Sequence, residues 1–141
     1  KASQSFLRSI MHLFIPITQK STSEVVQCVE RTGMTPTVYM EQLGLFEYGG
    51  GLYHCVHMSE EDLDVVKRHQ ISVITNPASN LKLASGIAPI EEMLKRKIDL
   101  AIGTDGPASN NCLDMFREMF LVTALAKYRE MMRVQLMQQR Y

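Results

Sequence analysis

The chain has 141 residues and a mass of 16.0 kDa, with 15 Lys and Arg balanced by 15 Asp and Glu. That length suits one domain, and 45% apolar with 21% charged residues are globular rather than disordered proportions. Neither nucleic acid nor membrane is an expected partner. A pI near 7.1 lacks the basic surplus of a phosphate-backbone binder, and no apolar run approaches the roughly 18 residues of a membrane span. The chain opens Lys1-Ala2-Ser3-Gln4, without Met or a signal-peptide apolar run, which points to an excised or processed stretch. Cys28, Cys55 and Cys112 are odd in number, far apart and outside any CxxC spacing. They read as small buried thiols kept reduced, which fits a cytoplasmic protein.

In chain order, Ile10 to Ile17 offers a first strand. Val25 to Glu30 and Thr37 to Leu43 read as two short helices broken near Gly33, with Gly44 as a C′ stop. Tyr48 to Val56 follows as a strand entered through Gly49-Gly50-Gly51. Ser59-Glu60-Glu61-Asp62 has the form of a capping box, and the helix it opens turns Leu63, Val65 and Val66 inward. Lys67, Arg68 and His69 suit the C-terminal end of that helix. Ile71 to Thr75 is a β-branched strand stopped at Asn76-Pro77. A loop carrying Ser79, Asn80, Ser85 and Gly86 leads to a helix begun by Pro89, acidic in its first turn and basic in its last. Ile98 to Ile102 is a further strand closed by Gly103. After a polar loop from Thr104 to Asn111, Asn110 or Asn111 caps a long helix from about Leu113 to Met131. Its inward face is expected to use Leu113, Phe116, Phe120 and Ala124.

Strands alternating with helices predict an α/β fold with a parallel sheet. Three or four βα units cannot close an eight-stranded barrel, so the sheet is either small and doubly wound or part of something larger. Its open edges lead us to expect self-association, another copy of the chain supplying the missing pairing.

Three polar clusters follow three successive predicted strands: His54-Cys55-Val56-His57, then Asn76-Pro77-Ala78-Ser79-Asn80, then Thr104-Asp105-Gly106 with Ser109-Asn110-Asn111. Each alone reads as ordinary loop chemistry, since Asp-Gly is a common turn and a lone His at a strand end is commonly structural. His57, beside a capping Ser, reads as a packing or capping residue. Together the clusters lie where sites form in α/β proteins, at converging strand ends. His54 and Asp105 suit metal-assisted hydrolysis: a carboxylate holds the ion and collects a proton while an imidazole orients the attacking oxygen. Two residues alone do not make a zinc site, which needs three or four protein ligands.

The run from His54 to Glu61, the run from Asn76 to Pro89, and Gly103-Thr104-Asp105-Gly106-Pro107-Ala108-Ser109-Asn110-Asn111 together resemble the amidohydrolase superfamily. They are most similar to its branch of 5′-methylthioadenosine/S-adenosylhomocysteine deaminases and chlorohydrolase-like enzymes. The resemblance implies parallel βα units forming the second half of a (β/α)8 TIM-type barrel, incomplete in this chain. It implies residues 22–130 as partial barrel, with 1–21 and 131–141 as flanks that do not match. It also implies zinc or another divalent metal as cofactor and a small nucleoside as substrate, its amino-bearing ring carbon attacked by metal-bound hydroxide. In that likeness Asp105 is metal ligand and proton shuttle, His54 contacts the reacting centre and Ser109 lines the substrate pocket. The Asn76 to Asn80 loop shapes the site.

The chain departs from the pattern at several places. Thr75 stands where a His is common before Asn-Pro. No His-x-His pair occurs anywhere. Counting back from Glu24-Val25, the position of a fifth-strand His holds Ile17 and that of a Glu holds Lys20; His12-Leu13 lies five residues too early. Sharp boundaries to the match lead to the expectation of a reading frame damaged on each side of a genuine deaminase segment. Two functions remain open: a deaminase section, or a catalytically incompetent remnant that only folds or self-associates. A nucleotide-binding module is disfavoured, because GxGxxG and GxxxxGK[ST] are both absent.

Overall fold

The computed structural model describes residues 19–138; the strand expected at Ile10 to Ile17, with His12, lies outside them. Two helices open the described chain, α1 (Thr22–Thr32) and α2 (Pro36–Gln42). Three βα segments follow: β1 (Gly51–Tyr53), α3 (Glu60–Arg68), β2 (Ser72–Thr75), α4 (Pro77–Lys82), α5 (Ile90–Lys95), β3 (Leu100–Ile102) and α6 (Met115–Gln138). The strands form one parallel sheet in the order β1-β2-β3, with Leu52 opposite Val73 and Val73 opposite Leu100. The expected α/β class with parallel strands is what the chain adopts.

Local chemistry explains most of the boundaries. Ser21 caps α1 in a reciprocal box with Glu24, and Gly33, at φ 75°, ends the helix in the left-handed region. Ser21-Thr22-Ser23-Glu24 has the S-x-x-E form of such a box in the sequence itself. Pro36 fits the first turn of α2, where no amide hydrogen is needed. The Tyr48 to Val56 strand is shorter than expected, because His54 and Cys55 adopt φ of 67° and 48° and leave the extended region directly after Tyr53. The expected loop after β2 is instead a short helix. Pro77 does stop the ladder, but its fixed φ also starts α4.

Apolar packing lies between the sheet and its helices. Leu52, Leu63, Val65, Val66, Ile71, Val73, Met93 and Ile98 are buried in one cluster with Phe46, Ala88 and Ile90. Leu63, Val65 and Val66 all face inward as expected. Along β2 burial alternates, with Val73 and Thr75 on the covered face. Cys55 is buried and Cys28 half-buried, but Cys112 is exposed, against the reading of all three as buried thiols.

The largest departure is the rotation of α6. Phe116 and Phe120 are 82% and 70% exposed, Leu113 is also exposed, and the buried positions are Glu118 and Ala126, with Val122 packed on the core. Both faces of this helix are rich in apolar residues, so helical spacing does not distinguish them. Hydrogen bonds to Glu118 do. The helix is capped by Asp114, whose carboxylate accepts from Phe116 and Arg117 amides, while Asn110 points elsewhere and Asn111 does not cap.

Asp62 is the buried anchor between segments. Its carboxylate accepts from Ser59 N–H and Ser59 Oγ at 2.9 Å each, from Gln19 Nε2 at 3.3 Å, and from Thr35 Oγ1. It thereby closes the α3 capping box and ties α3 to the start of α2. Asp62→Ala removes the shared acceptor of these donors, and it is expected to lower unfolding free energy by about 1–3 kcal/mol, with Asp62→Asn costing less. Urea denaturation followed by circular dichroism measures both.

Candidate active site

His54, Ser79, Asp105 and Lys20 converge beyond the C-terminal ends of the three strands. His54 is the residue immediately after β1, and its side chain is almost fully buried. Its Nδ1 donates to Asn80 Oδ1 at 2.7 Å. That bond assigns the ring proton to Nδ1 and leaves the Nε2 lone pair facing Asp105 Oδ2, 3.7 Å away. Burial pushes the His54 pKa below its ordinary value; the Asn80 bond opposes this, and the Lys20 charge adds to it. The ring is therefore neutral at pH 7.

Asp105 lies three residues past the end of β3, directly after Gly103-Thr104, with φ of 61°. Left-handed backbone at a non-glycine residue is uncommon, and here it occurs at both His54 and Asp105. Oδ1 accepts the Gly106 amide at 2.7 Å, and Oδ2 accepts Ser79 Oγ at 2.5 Å and Lys20 Nζ at 3.2 Å. Partial burial pushes the carboxyl upward, but hydrogen bonds from Ser79, Gly106, Ser109 and Lys20 outweigh it and hold Asp105 well below the usual carboxylate range.

The surrounding polar residues orient these groups. Asn76 is buried at the end of β2, with its amide nitrogen 3.4 Å from His54 Nδ1. Gly103 leaves it room, since a Cβ there would lie 2.5 Å from Asn76 Oδ1 and 3.1 Å from Ile74 Cγ2. Glu118, fully buried on α6, accepts the Ala78 amide at 2.9 Å and Asn110 Nδ2 at 2.7 Å. Asn110 Nδ2 also reaches the Thr104 carbonyl at 2.8 Å. Ser109 is half-buried in the same turn as Asp105, with Oγ donating to the Gly106 carbonyl at 3.1 Å. His57 lies apart, bonded through Nε2 to the Ser85 carbonyl at 2.8 Å, a structural tie.

The structure thus brings His54 and Asp105 together and puts Ser109 in the turn beside them. The sequence does not mark Lys20 or Glu118 as parts of this cluster, and it offers Ser79 only within the Asn76 to Asn80 loop expected to shape the site. Ser79 and Asn80 carried a signal, because they lie in a polar run after a strand. Glu118 carried none, being a charged residue off the helix face expected to turn inward. A divalent ion bound by Asp105 needs at least three protein donors. Among the described residues, no three His, Cys, Asp or Glu side chains are grouped to hold one. The donor set present does not fit the metal that the resemblance implies.

Comparison with known proteins agrees with the topology. A model of the amidohydrolase family matches residues 10–138. The chain is 45% identical over 117 residues to the 5-methylthioadenosine/S-adenosylhomocysteine deaminase of Caldanaerobacter subterraneus subsp. tengcongensis, covering 83% of this chain and 26% of that protein. It is 38% identical over 118 residues to the 5′-deoxyadenosine deaminase of Methanothermobacter thermautotrophicus, covering 84% and 27%. An adenosine deaminase from Xanthomonas campestris with bound zinc superposes with a TM-score of 0.79 at 34% identity, over 89% of this chain and 29% of that one. The chain spans about a quarter of the length of the curated relatives it matches. Its three-stranded sheet corresponds to part of the TIM-type barrel of the amidohydrolases.

Gly103→Ala is expected to displace Asn76 and lower unfolding free energy by about 1–3 kcal/mol, measured by denaturant titration. For His54, a lowered folded-state pKa means that the unfolded chain binds the proton more readily. Its contribution to stability is therefore present above the ordinary histidine midpoint of 6.5 and is lost as pH falls below it. Nitrogen-15 NMR is expected to show His54 as the neutral Nδ1–H form at pH 6.5, with a midpoint below that value.

Proposed function

The chain belongs to the amidohydrolase family, and from that premise we propose that residues 22–130 are a section of a purine-nucleoside deaminase barrel. The section carries the carboxylate and one imidazole of the site. The substrate class is a small 6-aminopurine nucleoside of the methylthioadenosine or S-adenosylhomocysteine type. Its exocyclic amine is exchanged for oxygen by water, with release of ammonia. One observation carries this reading: a neutral imidazole lone pair and an ionised carboxylate face each other across 3.7 Å at the ends of the strands that flank β2. Two acceptors so placed orient a water molecule and take its proton. Asp105 receives the proton, His54 aligns the attacking oxygen, and Ser109 borders the substrate. Deaminase-named relatives at 45% and 38% identity support the substrate class.

A second reading concerns the 141 residues by themselves, and it also rests on geometry. The Asp105 oxygen that faces His54 already accepts from Ser79 and Lys20, and among the described residues the donor set for an ion is incomplete. As it stands, the chain is assigned a folded but catalytically silent state. Zinc of the kind bound in the Xanthomonas campestris structure belongs, in this reading, to a complete barrel. Three free cysteines accord with a cytoplasmic location, and among the described residues no helix is long and apolar enough to cross a membrane.

Deamination is followed by the ultraviolet shift as a 6-aminopurine becomes a 6-oxopurine. The 141-residue chain is expected to leave methylthioadenosine and S-adenosylhomocysteine unchanged. The Caldanaerobacter subterraneus relative with residues 22–130 grafted over its matching stretch is expected to turn them over. In that graft His54→Asn and Asp105→Asn are expected to slow turnover by about 10²–10⁴-fold. A folded graft that stays silent with both residues intact would remove the first reading, and turnover by the chain alone would remove the second.

A further inference from the structure

We propose that the Lys20 ammonium is the resident cation of this cluster, paired internally with Asp105 so that a divalent metal is kept off that carboxylate. The pair is built into the fold at both ends. Before it, Gln19 is buried; its carbonyl accepts the His57 amide at 3.1 Å and its Nε2 donates to Asp62 at 3.3 Å. After it, Ser21 is the N-cap of α1, and the Lys20 amide itself donates to Glu24 Oε2 at 3.0 Å. Held between these two anchors, Lys20 carries Nζ to the strand ends. There it donates to Ser79 Oγ at 3.1 Å and to Asp105 Oδ2 at 3.2 Å, with its side chain only 17% exposed.

The chemistry of the carboxylate completes the argument. Oδ1 is engaged by the Gly106 amide, and Oδ2 by both Ser79 and Lys20. A zinc ion bonds carboxylate oxygen at about 2.0–2.2 Å. On Oδ2 it would have to displace a hydroxyl proton donor and lie within a few ångströms of a positive charge held in place by the fold. His54 adds one neutral donor, which is too little to offset the loss. The ammonium does electrostatically what an ion would do for Asp105, keeping the carboxylate ionised and in place, but it has no coordination position to offer a water molecule. This inference stands on the chain's own geometry, and its tests read metal and amine rather than turnover.

The test uses the full chain and cobalt(II) as a zinc surrogate with visible absorption. Wild type is expected to show no saturable one-equivalent cobalt spectrum and no rise in melting temperature with zinc. Lys20→His replaces the charge by a neutral donor beside His54 and Asp105, and it is expected to gain one equivalent that Lys20→His/Asp105→Asn loses. Independently, acetylation read by mass spectrometry is expected to modify Lys20 several-fold more slowly in wild type than in Asp105→Asn. Saturable binding of one metal by wild type that disappears in Asp105→Asn overturns the proposal. So does equal acetylation of Lys20 in the two chains, or a folded Lys20→His chain with no more affinity for cobalt than wild type. Should Lys20→His fail to fold, the wild-type and Asp105→Asn measurements decide alone.

Discussion

The Glu118 carboxylate holds two loops and a helix in one arrangement. It is wholly buried on α6, and its two oxygens take the Ala78 amide at the start of α4 and the Asn110 side chain in the loop after β3. A buried carboxylate without hydrogen-bond donors is costly, so these bonds decide which face of α6 turns inward. They also set the separation between the segment that carries Ser79 and Asn80 and the turn that carries Asp105. Ser79 and Asn80 in turn bond Asp105 and His54. The site geometry therefore depends on a residue that touches neither of its central groups.

At the strand ends, backbone and electrostatics work together. Positive φ at His54 ends β1 as it emerges, and positive φ at Asp105 turns the chain three residues beyond the end of β3. Such conformations persist where surrounding bonds over-determine them. Here the Asn80 bond fixes His54, and the Gly106 amide with Ser79 fixes Asp105. The resulting pair has unlike protonation, a neutral ring against an ionised carboxylate, because burial dominates at the first and hydrogen bonds at the second. Lys20 pushes the two in the same useful direction, lowering both.

Family membership and competence at the reaction rest on different parts of the chain. Membership follows from long runs of residues that shape loops, cap helices and pack strands, and these survive across the described residues. Competence rests on a few donors whose positions must all be filled together. One lysine at the mouth of the site offsets the Asp105 charge without disturbing the capping box that follows it. A fold can thus remain recognisable where the ion chemistry associated with it is not supported by the described residues.

Several features were legible in the residues alone because their causes are local. The Ser59 to Asp62 capping box, the stop at Gly44, the β-branched strand before Asn76-Pro77 and the α/β alternation each depend on neighbours within a few positions. His54 and Asp105 were also legible as partners, since strand ends of a parallel sheet converge by topology. The rotation of α6 was not, because apolar residues occupy both its faces and only contacts 40 residues apart, such as Glu118 with Ala78, distinguish them. Nor was the pairing of Lys20 with Asp105, whose partners lie 85 positions apart. Sequence by itself determined the class of fold and the groups available for chemistry; tertiary structure alone decided which charges meet. Helix caps and strand patterns are short-range, whereas an ion pair exists only once the chain has brought distant residues within a few ångströms.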